Sequence, residues 1–281
     1  MYQLIKPFLP RRLKLILGKF KENLPYYKNL RKSIAANRVL HLQREKKCLN
    51  SLRQNGKLNV LSGPFEGMNY IEVSNCSSLL PKIIGTYEEP LNSVVNTALL
   101  SNYNYIYDVG CAEGYYAVGF KLKSSKSNVI AYDNDPEALK NCTDLARLNS
   151  LEGQISFKSS FDFNFFVKEK GKLTSSEKSR HLIFMDVEGA EIELLNPELN
   201  PDVLLCDLIV ELHDCFVKGV TERMLSYFQN THEIKIIMDY SWRKVSSTIN
   251  FKGLKSEDIE FAMNEFRPKG MSWLVAIKMA C

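Results

Sequence analysis

Short apolar segments alternate with helical segments from residue 105 to residue 278, and this alternation constrains the fold more than any other feature of the sequence. Strands are predicted at residues 105–109, 128–132, 155–158, 181–185, 207–212, 233–238 and 273–278. Helices are predicted at residues 115–123, 136–149, 221–229 and 256–266. Alternation at this spacing predicts an α/β fold, with a doubly wound, mostly parallel, Rossmann-like sheet of seven strands.

The chain divides into three predicted parts. Its 281 residues suffice for one sizeable core with appendages. Residues 1–55 form a basic helical extension, and residues 56–86, which glycines punctuate, form a small cap or hairpin. Residues 87–281 form the α/β domain, in which the polar stretch at residues 171–179 is predicted to be an exposed loop.

The basic charge of the protein belongs to the N-terminal extension. The first 50 residues hold 13 Lys and Arg against two Asp and Glu, whereas the remaining 231 hold 24 against 30. Apolar residues recur at helical spacing over residues 10–20, a break follows at residues 23–27, and a second helix is predicted at residues 30–52. We expect residues 10–21 either to lie on an anionic membrane surface or to pack on the core or on a second subunit of a homo-oligomer.

Cysteine usage and hydropathy indicate the compartment. The seven cysteines are scattered and contain no CxxC pair, which favours a reducing environment over a disulfide framework or a zinc site. No apolar run is long enough to span a membrane, and the apolar run at residues 13–17 is interrupted by Lys14, unlike a signal peptide. We therefore predict a cytoplasmic protein, with peripheral binding at the inner face of the membrane if the first helix contacts lipid.

The loop after the first predicted strand, DVGCAEG at residues 108–114, indicates a cofactor site. Glycine allows a tight turn and close approach of the backbone to a ligand. The D-x-G-x-x-x-G spacing differs from the dinucleotide fingerprint, and an acidic loop suits the ammonium and sulfonium groups of S-adenosylmethionine. The predicted cofactor contacts in this loop are Asp108, Gly110, Cys111, Glu113, Gly114 and Tyr115.

Two further loops supply predicted cofactor contacts. Asp133 ends the second strand about 20 residues after the glycines, where a carboxylate binds ribose hydroxyls, and Asn134 follows it. After the third strand, Ser160 and Phe161 are predicted to flank the adenine, and Asp162 to accept from its amino group. The alternative for Asp133 is that it only caps the next helix.

Acidic residues and a histidine end the fourth and fifth strands. Asp186 and Glu188 are two residues apart, as are Glu211 and His213, so each pair shares one side of its strand. Methyl transfer to a hydroxyl requires removal of its proton. We predict that His213 is the base, that Asp186 and Glu188 orient it or the substrate, that Glu211 completes the group, and that Asp186 also faces the cofactor.

Two alternatives remain for these residues. A hard divalent metal ion held by Asp186, Glu211 and His213 would acidify the hydroxyl directly. Alternatively, Glu188 and Glu191 only begin the next helix, where acidic residues are favoured, and this structural role is the prediction for Glu191.

These motifs resemble the FkbM family of S-adenosylmethionine-dependent methyltransferases. The similarity lies in DVGxxxGYY from Asp108, MDVEGAE at residues 185–191 and IVELH at residues 209–213, and it extends from Tyr87 to the last strand. It implies a class I methyltransferase domain and a hydroxyl acceptor on a sugar or another secondary metabolite. The second strand departs from the family pattern, since Asp133 stands where Phe-Glu-Pro is usual.

Residues that flank the motifs are candidates for covering the groove. Glu88 is predicted to cover the cofactor, and Lys82 and Tyr87 to contact the substrate. Arg267 and Trp273 are predicted to line the acceptor site, because an aromatic ring suits the apolar face of a sugar and an arginine an acidic sugar. Ordinary packing is the alternative for all five residues.

Three classes of function fit the sequence. The first is O-methylation of a sugar hydroxyl in a polysaccharide, a lipid-linked glycan or a glycosylated small molecule. The second is methylation of nucleic acid held by the basic extension, although an acidic crevice would repel phosphates. The third is a non-catalytic module that binds S-adenosylmethionine.

Overall fold

The computed structural model of the protein describes residues 25–75, 77–161, 180–240, 242–251, 253–268 and 270–279. Three predicted features lie outside these ranges. They are the helix at residues 10–20, the loop at residues 171–179 and the adenine contact of Asp162.

The chain divides into two units, with the boundary between Asn50 and Ser51. The first described helix is α1 (Pro25–Leu52), which begins within the stretch where a break was predicted. Proline is compatible with the first turn of a helix, because the amide hydrogen that it lacks has no partner there. None of the helices in the described ranges is both long and apolar enough to cross a membrane.

Seven strands form one sheet in the second unit. They are β1 (Tyr105–Val109), β2 (Asn128–Tyr132), β3 (Ile155–Lys158), β4 (His181–Met185), β5 (Asp207–Leu212), β6 (His232–Met238) and β7 (Ser272–Lys278). Their order is β3-β2-β1-β4-β5-β7-β6, and β7 runs antiparallel to both of its neighbours. The predicted mostly parallel, Rossmann-like sheet is therefore confirmed, and β6 and β7 each begin one residue earlier than predicted.

In the described part of the second unit, two helices precede the sheet, and five further helices lie between its strands along the chain. The elements are α2 (Leu79–Ile84), α3 (Asn92–Leu100), α4 (Tyr115–Lys123), α5 (Pro136–Leu148), α6 (Glu191–Leu194), α7 (Val220–Phe228) and α8 (Ser256–Met263). Helices α2 and α3 were not predicted, and α6 was predicted only as a helix that begins near Glu188 and Glu191. Helix α8 ends three residues before the predicted end, because Asn264 is extended and Phe266 has a left-handed φ of 55°.

The predicted hairpin before the domain is present as backbone pairing. Val60 N donates to Met68 O at 2.8 Å, and Tyr70 N donates to Leu58 O at 2.9 Å. A single bridge, between Asn59 and Asn69, joins the two arms.

The central strands are buried on both faces, which explains their nearly continuous apolar sequences. Ile183, Met185, Leu208 and Val210 belong to the core and are almost completely inaccessible. Asp108 of β1 and Glu211 of β5 lie near the carboxyl ends of their strands, and Asp186 and Glu188 follow the carboxyl end of β4. Asp108 of β1 pairs in register with Phe184 of β4, so the loops that follow the two strands meet.

Candidate active site

A groove of about 600 Å³ lies at the carboxyl ends of β1, β2, β4 and β5, and we call it the strand-end groove. This is the edge of an open α/β sheet where ligands bind. The predicted site residues that line it are Lys82, Tyr87, Asp108, Gly110, Cys111, Tyr115, Asp133, Asn134, Ser160, Phe161, Asp186, Glu188, Glu211, His213 and Arg267. Four predicted residues, Glu88, Glu113, Gly114 and Trp273, are not part of its wall.

Two glycines shape the loop after β1. Gly110 has a φ of 84°, and a Cβ there would come within 1.7 Å of the carbonyl oxygen of Asp186. Gly114 has a φ of 96°, and a Cβ there would come within 2.4 Å of Cys142 Sγ. Both positions therefore require glycine for backbone conformation and for space.

Asp108 places a buried carboxylate at the floor of the groove. Only 2% of the residue is exposed, and its Oδ2 has no hydrogen-bond partner among the described residues. Burial raises the pKa of Asp108 to about 8, against the hydrogen bond from the backbone amide of Ala117, which lowers it, and together with the charges of Asp186, Asp133 and Glu88, which raise it. The carboxylate thus lacks a compensating cation.

Asp133 connects the loops after β1 and β2. Its Oδ2 accepts from Ala112 N at 2.9 Å, and its Oδ1 accepts from Asp135 N at 2.9 Å. A carboxylate has about four acceptor positions, so capacity remains for hydroxyl groups in the groove. The capping role that was the alternative for Asp133 belongs to Asp135, whose Oδ1 accepts from Glu137 N at 2.9 Å.

Glu113, which was predicted to contact the cofactor, is not part of the groove wall. The carboxylate is fully buried, forms an ion pair with Lys82, and accepts from Tyr70 Oη at 2.7 Å and from Asn75 N at 2.9 Å. Burial raises the pKa of Glu113, but the charge and hydrogen bond of Lys82 outweigh it, so the pKa lies below its ordinary value. A buried carboxylate needs such a partner, and the pair joins the cap segment to the start of α4.

His213 faces the groove at the end of β5. Its Nδ1 lies 2.5 Å from Oε1 of Glu191, and its Nε2 lies 3.4 Å from Oδ1 of Asp186 and 3.8 Å from Oε2 of Glu211. Burial lowers the pKa of His213, but the hydrogen bond to Glu191 and the charge of Asp186 outweigh it, so the pKa lies above its ordinary value. The prediction that Glu191 has only a structural role at a helix start did not foresee this contact.

Carboxylates surround the Nε2 side of the imidazole. Burial, followed by the charge of Glu88, raises the pKa of Asp186. Burial, followed by the charge of Asp186, raises the pKa of Glu211 well above its usual range. Glu188 is exposed at the rim and has a left-handed φ of 52°.

Asp186, Glu211 and His213 each offer one ligand atom within 4.8 Å of the others, as the predicted metal arrangement requires. However, the guanidinium of Arg267 donates to Oε1 of Glu211 and already compensates the charge of that carboxylate. The divalent ion remains a prediction.

Arg267 is held by carboxylates of the protein itself. Its Nη1 and Nη2 form ion pairs with Glu211 and Glu88, and its Nε lies 2.9 Å from Oε2 of Glu265. We call Arg267 and these three carboxylates the arginine cluster. The guanidinium is therefore engaged by the protein itself, although Arg267 lines the groove, and its contact with an acceptor stays a prediction.

Three more flanking residues are engaged by other residues of the protein. Trp273 is 1% exposed and lies beneath the groove, where the guanidinium of Arg267 covers it at 5.4 Å. Glu88 is 2% exposed and accepts from Tyr116 Oη at 2.5 Å, so it supports the wall without forming it. Lys82 lines the groove, but its ammonium group is paired with Glu113.

Sequence reasoning missed several residues of the groove. Phe216 and Phe266 line it and are 59% and 56% exposed, and Phe216 stacks on His213 with 5.6 Å between ring centroids. Glu265 bridges Arg267 and the buried Arg243. The only sequence signal for Glu265 was an acidic residue two positions before Arg267.

Several solved structures are similar to this chain. The O-methyltransferase from Bacillus cereus in complex with SAH has a TM-score of 0.43 and 10% identity, over 64% of this chain and 77% of that one. The O-methyltransferase TomG from Streptomyces achromogenes, in complex with SAM, has a TM-score of 0.42 and 10% identity, over 64% and 76%. Precorrin-6y C5,15-methyltransferase from Geobacter metallireducens has a TM-score of 0.41 and 9% identity, over 66% and 88%.

No family model matches the sequence, and no curated protein sequence matches it. The resemblance to the FkbM family therefore stays a prediction.

Proposed function

We propose that the protein is an S-adenosylmethionine-dependent O-methyltransferase that acts on a hydroxyl group of a sugar. One observation carries the proposal. A single groove holds two acids suited to the cofactor, Asp108 and Asp133, next to an imidazole and two further acids suited to proton transfer. The acceptor would be part of a polysaccharide, a lipid-linked glycan or a glycosylated small molecule.

The residues of the groove fit the cofactor. Asp108 Oδ2 is a buried acceptor that lacks a partner among the described residues, and the ammonium of the methionyl group would compensate its charge. Asp133 has free acceptor capacity for the ribose hydroxyls, and Phe161 lines the groove on the side of β3. Bound S-adenosylmethionine would supply an electrophilic methyl group.

His213 is the proposed base. Its Nε2 faces the groove next to Asp186, and the imidazole would take the proton of the acceptor hydroxyl as the oxygen is methylated. Asp186 would stabilise the imidazolium and orient the hydroxyl. A placed base contributes roughly 10² to 10⁴-fold to the rate, and orientation contributes on the order of 7 to 11 kcal/mol, so positioning dominates.

The lining of the groove near the base favours a neutral acceptor. Asp186 and Glu188 would repel a phosphate, which disfavours the nucleic-acid alternative. The exposed rings of Phe216 and Phe266 offer apolar surfaces to the carbon face of a sugar ring. The resemblance of the motifs to the FkbM family also favours a sugar.

The location and assembly of the protein remain proposals. We infer a cytoplasmic enzyme, and a lipid-linked acceptor would give a role to the predicted binding of residues 10–21 to the inner face of the membrane. Packing of that segment in a homo-oligomer is the alternative.

Binding and transfer test the chemistry. Calorimetry should detect binding of S-adenosylhomocysteine to the purified protein, and Asp108→Asn should weaken it. Labelled methyl from S-adenosylmethionine should enter a glycan extract with the wild type but not with His213→Gln or Asp186→Ala. Glu193→Gln removes an exposed charge of α6 and should transfer normally. If calorimetry detects no heat of binding with S-adenosylhomocysteine, the proposal is refuted.

Mass spectrometry tests the acceptor. Glycans of cells that lack the protein should contain one defined residue that is lighter by the mass of CH₂. Unchanged glycans, combined with methyl transfer to RNA or DNA that falls steeply with salt, would instead support the nucleic-acid alternative.

A further inference from the structure

We infer that Glu191 is a positioning residue that holds His213 in the tautomer with its proton on Nδ1, so that Nε2 presents a lone pair to the groove. The use of this pair in catalysis rests on the proposed function. The tautomer itself is a property of the folded chain and is testable without any substrate.

The geometry of the pair supports this inference. Glu191 Oε1 lies 2.5 Å from Nδ1 of His213, and the two residues are 0% and 3% exposed. An ionised carboxylate only accepts hydrogen bonds, so the shared proton lies on Nδ1. The same oxygen also accepts from Gly189 N at 3.1 Å, which fixes its position. The other ring nitrogen, Nε2, is the one that lies next to Asp186 and Glu211.

A role for Glu191 at the start of a helix does not explain its burial. Helix α6 has only four residues, Glu191–Leu194, so its dipole offers little compensation. Removing a carboxylate from water costs several kcal/mol unless a partner compensates it. Glu193 belongs to the same helix, has the same charge and is exposed, as a residue with only a dipole role would be. Among the described residues, His213 is the buried side chain that forms a hydrogen bond with Glu191.

The pair would serve the base in two ways. It selects the tautomer that leaves Nε2 free to accept a proton, and it stabilises the imidazolium that forms when the proton arrives. Glu191 would do so without contact with the acceptor, from the side of the ring opposite the groove. Its removal should therefore lower kcat and leave KM nearly unchanged.

Nitrogen-15 NMR of the imidazole rings tests the tautomer directly. The chain has four histidines, and the signals of His213 are those lost in His213→Gln. In the wild type, at a pH where the ring is neutral, we expect the shifts of a ring protonated at Nδ1. In Glu191→Gln the side-chain amide can donate to Nδ1, and we expect the proton to move to Nε2. Glu191→Asp should restore the wild-type pattern at least in part, and Glu193→Gln should not change it.

Kinetics tests the use of the pair. We expect Glu191→Gln to lower kcat on the order of 10²-fold, with KM and S-adenosylhomocysteine affinity within about twofold of wild type. Glu191→Asp should regain a measurable part of kcat. The inference is overturned if His213 keeps its wild-type shifts in Glu191→Gln, or if Glu193→Gln lowers kcat equally. If the shifts move as expected but no hydroxyl is methylated, the pair stands and the proposed function fails.

Discussion

The carbonyl oxygen of Asp186 lies 1.7 Å from the position that a Cβ on Gly110 would occupy. Strands β1 and β4 are neighbours, and Asp186 N donates to Val109 O at 2.9 Å, so the two loops touch where the strands end. This contact brings the acid that faces the imidazole next to the proposed cofactor loop. The two halves of the site are therefore joined through backbone atoms.

Gly110→Ala should disrupt this contact. The alanine would be strained by the left-handed φ of 84° and would displace the backbone after β4, so we expect a loss of about 3 kcal/mol or more in the free energy of unfolding. Gly153→Ala is the control, since its φ is 73° but nothing lies within 4 Å of the added Cβ. Denaturant unfolding measures both, and equal losses would contradict the clash.

Asp108→Asn should stabilise the protein while it weakens cofactor binding. Because burial raises the pKa of Asp108 from 3.8 to about 8, stability is lost as the pH rises from about 4 to 8. The asparagine avoids this loss, and we expect a gain of roughly 2 to 4 kcal/mol at pH 7. Thermal unfolding checks the gain. Asp144→Asn, at a surface ion pair, should change stability by less than about 1 kcal/mol.

Binding of S-adenosylhomocysteine should release a proton. At pH 7 most Asp108 is protonated, because its pKa is about 8, and an ammonium next to it favours the charged form. We expect release of about one proton at pH 7, and an affinity that rises roughly tenfold per pH unit until about pH 8. Calorimetry in two buffers of different ionisation enthalpy measures the release. If Asp108→Asn releases as many protons as the wild type on binding S-adenosylhomocysteine, the proton comes from another group.

Arg267→Met should be strongly destabilising. The substitution leaves Glu88, Glu211 and Glu265 buried without their shared cation, at an expected cost of about 3 to 5 kcal/mol. Arg147→Met removes an exposed arginine and should cost less than about 1 kcal/mol. Urea unfolding compares the two variants, and a stable Arg267→Met protein would show that the carboxylates are neutral without Arg267.

Chelation tests the predicted metal ion. Because Arg267 already pairs with Glu211, we expect methyl transfer to persist after EDTA treatment and added Mg²⁺ to leave the rate within about twofold. The measurement is labelled-methyl transfer by chelated protein with and without the metal. Loss of transfer that Mg²⁺ restores would support the metal arrangement predicted from the sequence.

The order of residues along the chain is enough to predict the sheet and the residues at its edge. Strands buried on both faces need continuous apolar runs, so β1, β2, β4 and β5 have the predicted bounds, and the bounds of the less buried β3 also agree. The two-residue spacing of Glu211 and His213 also places both side chains on one side of β5, and both line the groove. Strand bounds and the side of a strand on which a residue lies depend on nearby residues in the chain, so they can be predicted from the sequence.

Which buried charges pair with each other could be seen only in the folded structure. Glu113 pairs with Lys82 instead of facing the cofactor, Glu191 pairs with His213, and Arg267 reaches Glu88 from 179 residues away. A buried charged group pairs with an oppositely charged group that is close in space. Which groups are close depends on how separate segments of the chain pack. Glu113 and Glu191 are the same residue type in the sequence. Their buried partners differ, so Glu113 belongs to a structural ion pair and Glu191 to the proposed catalytic site.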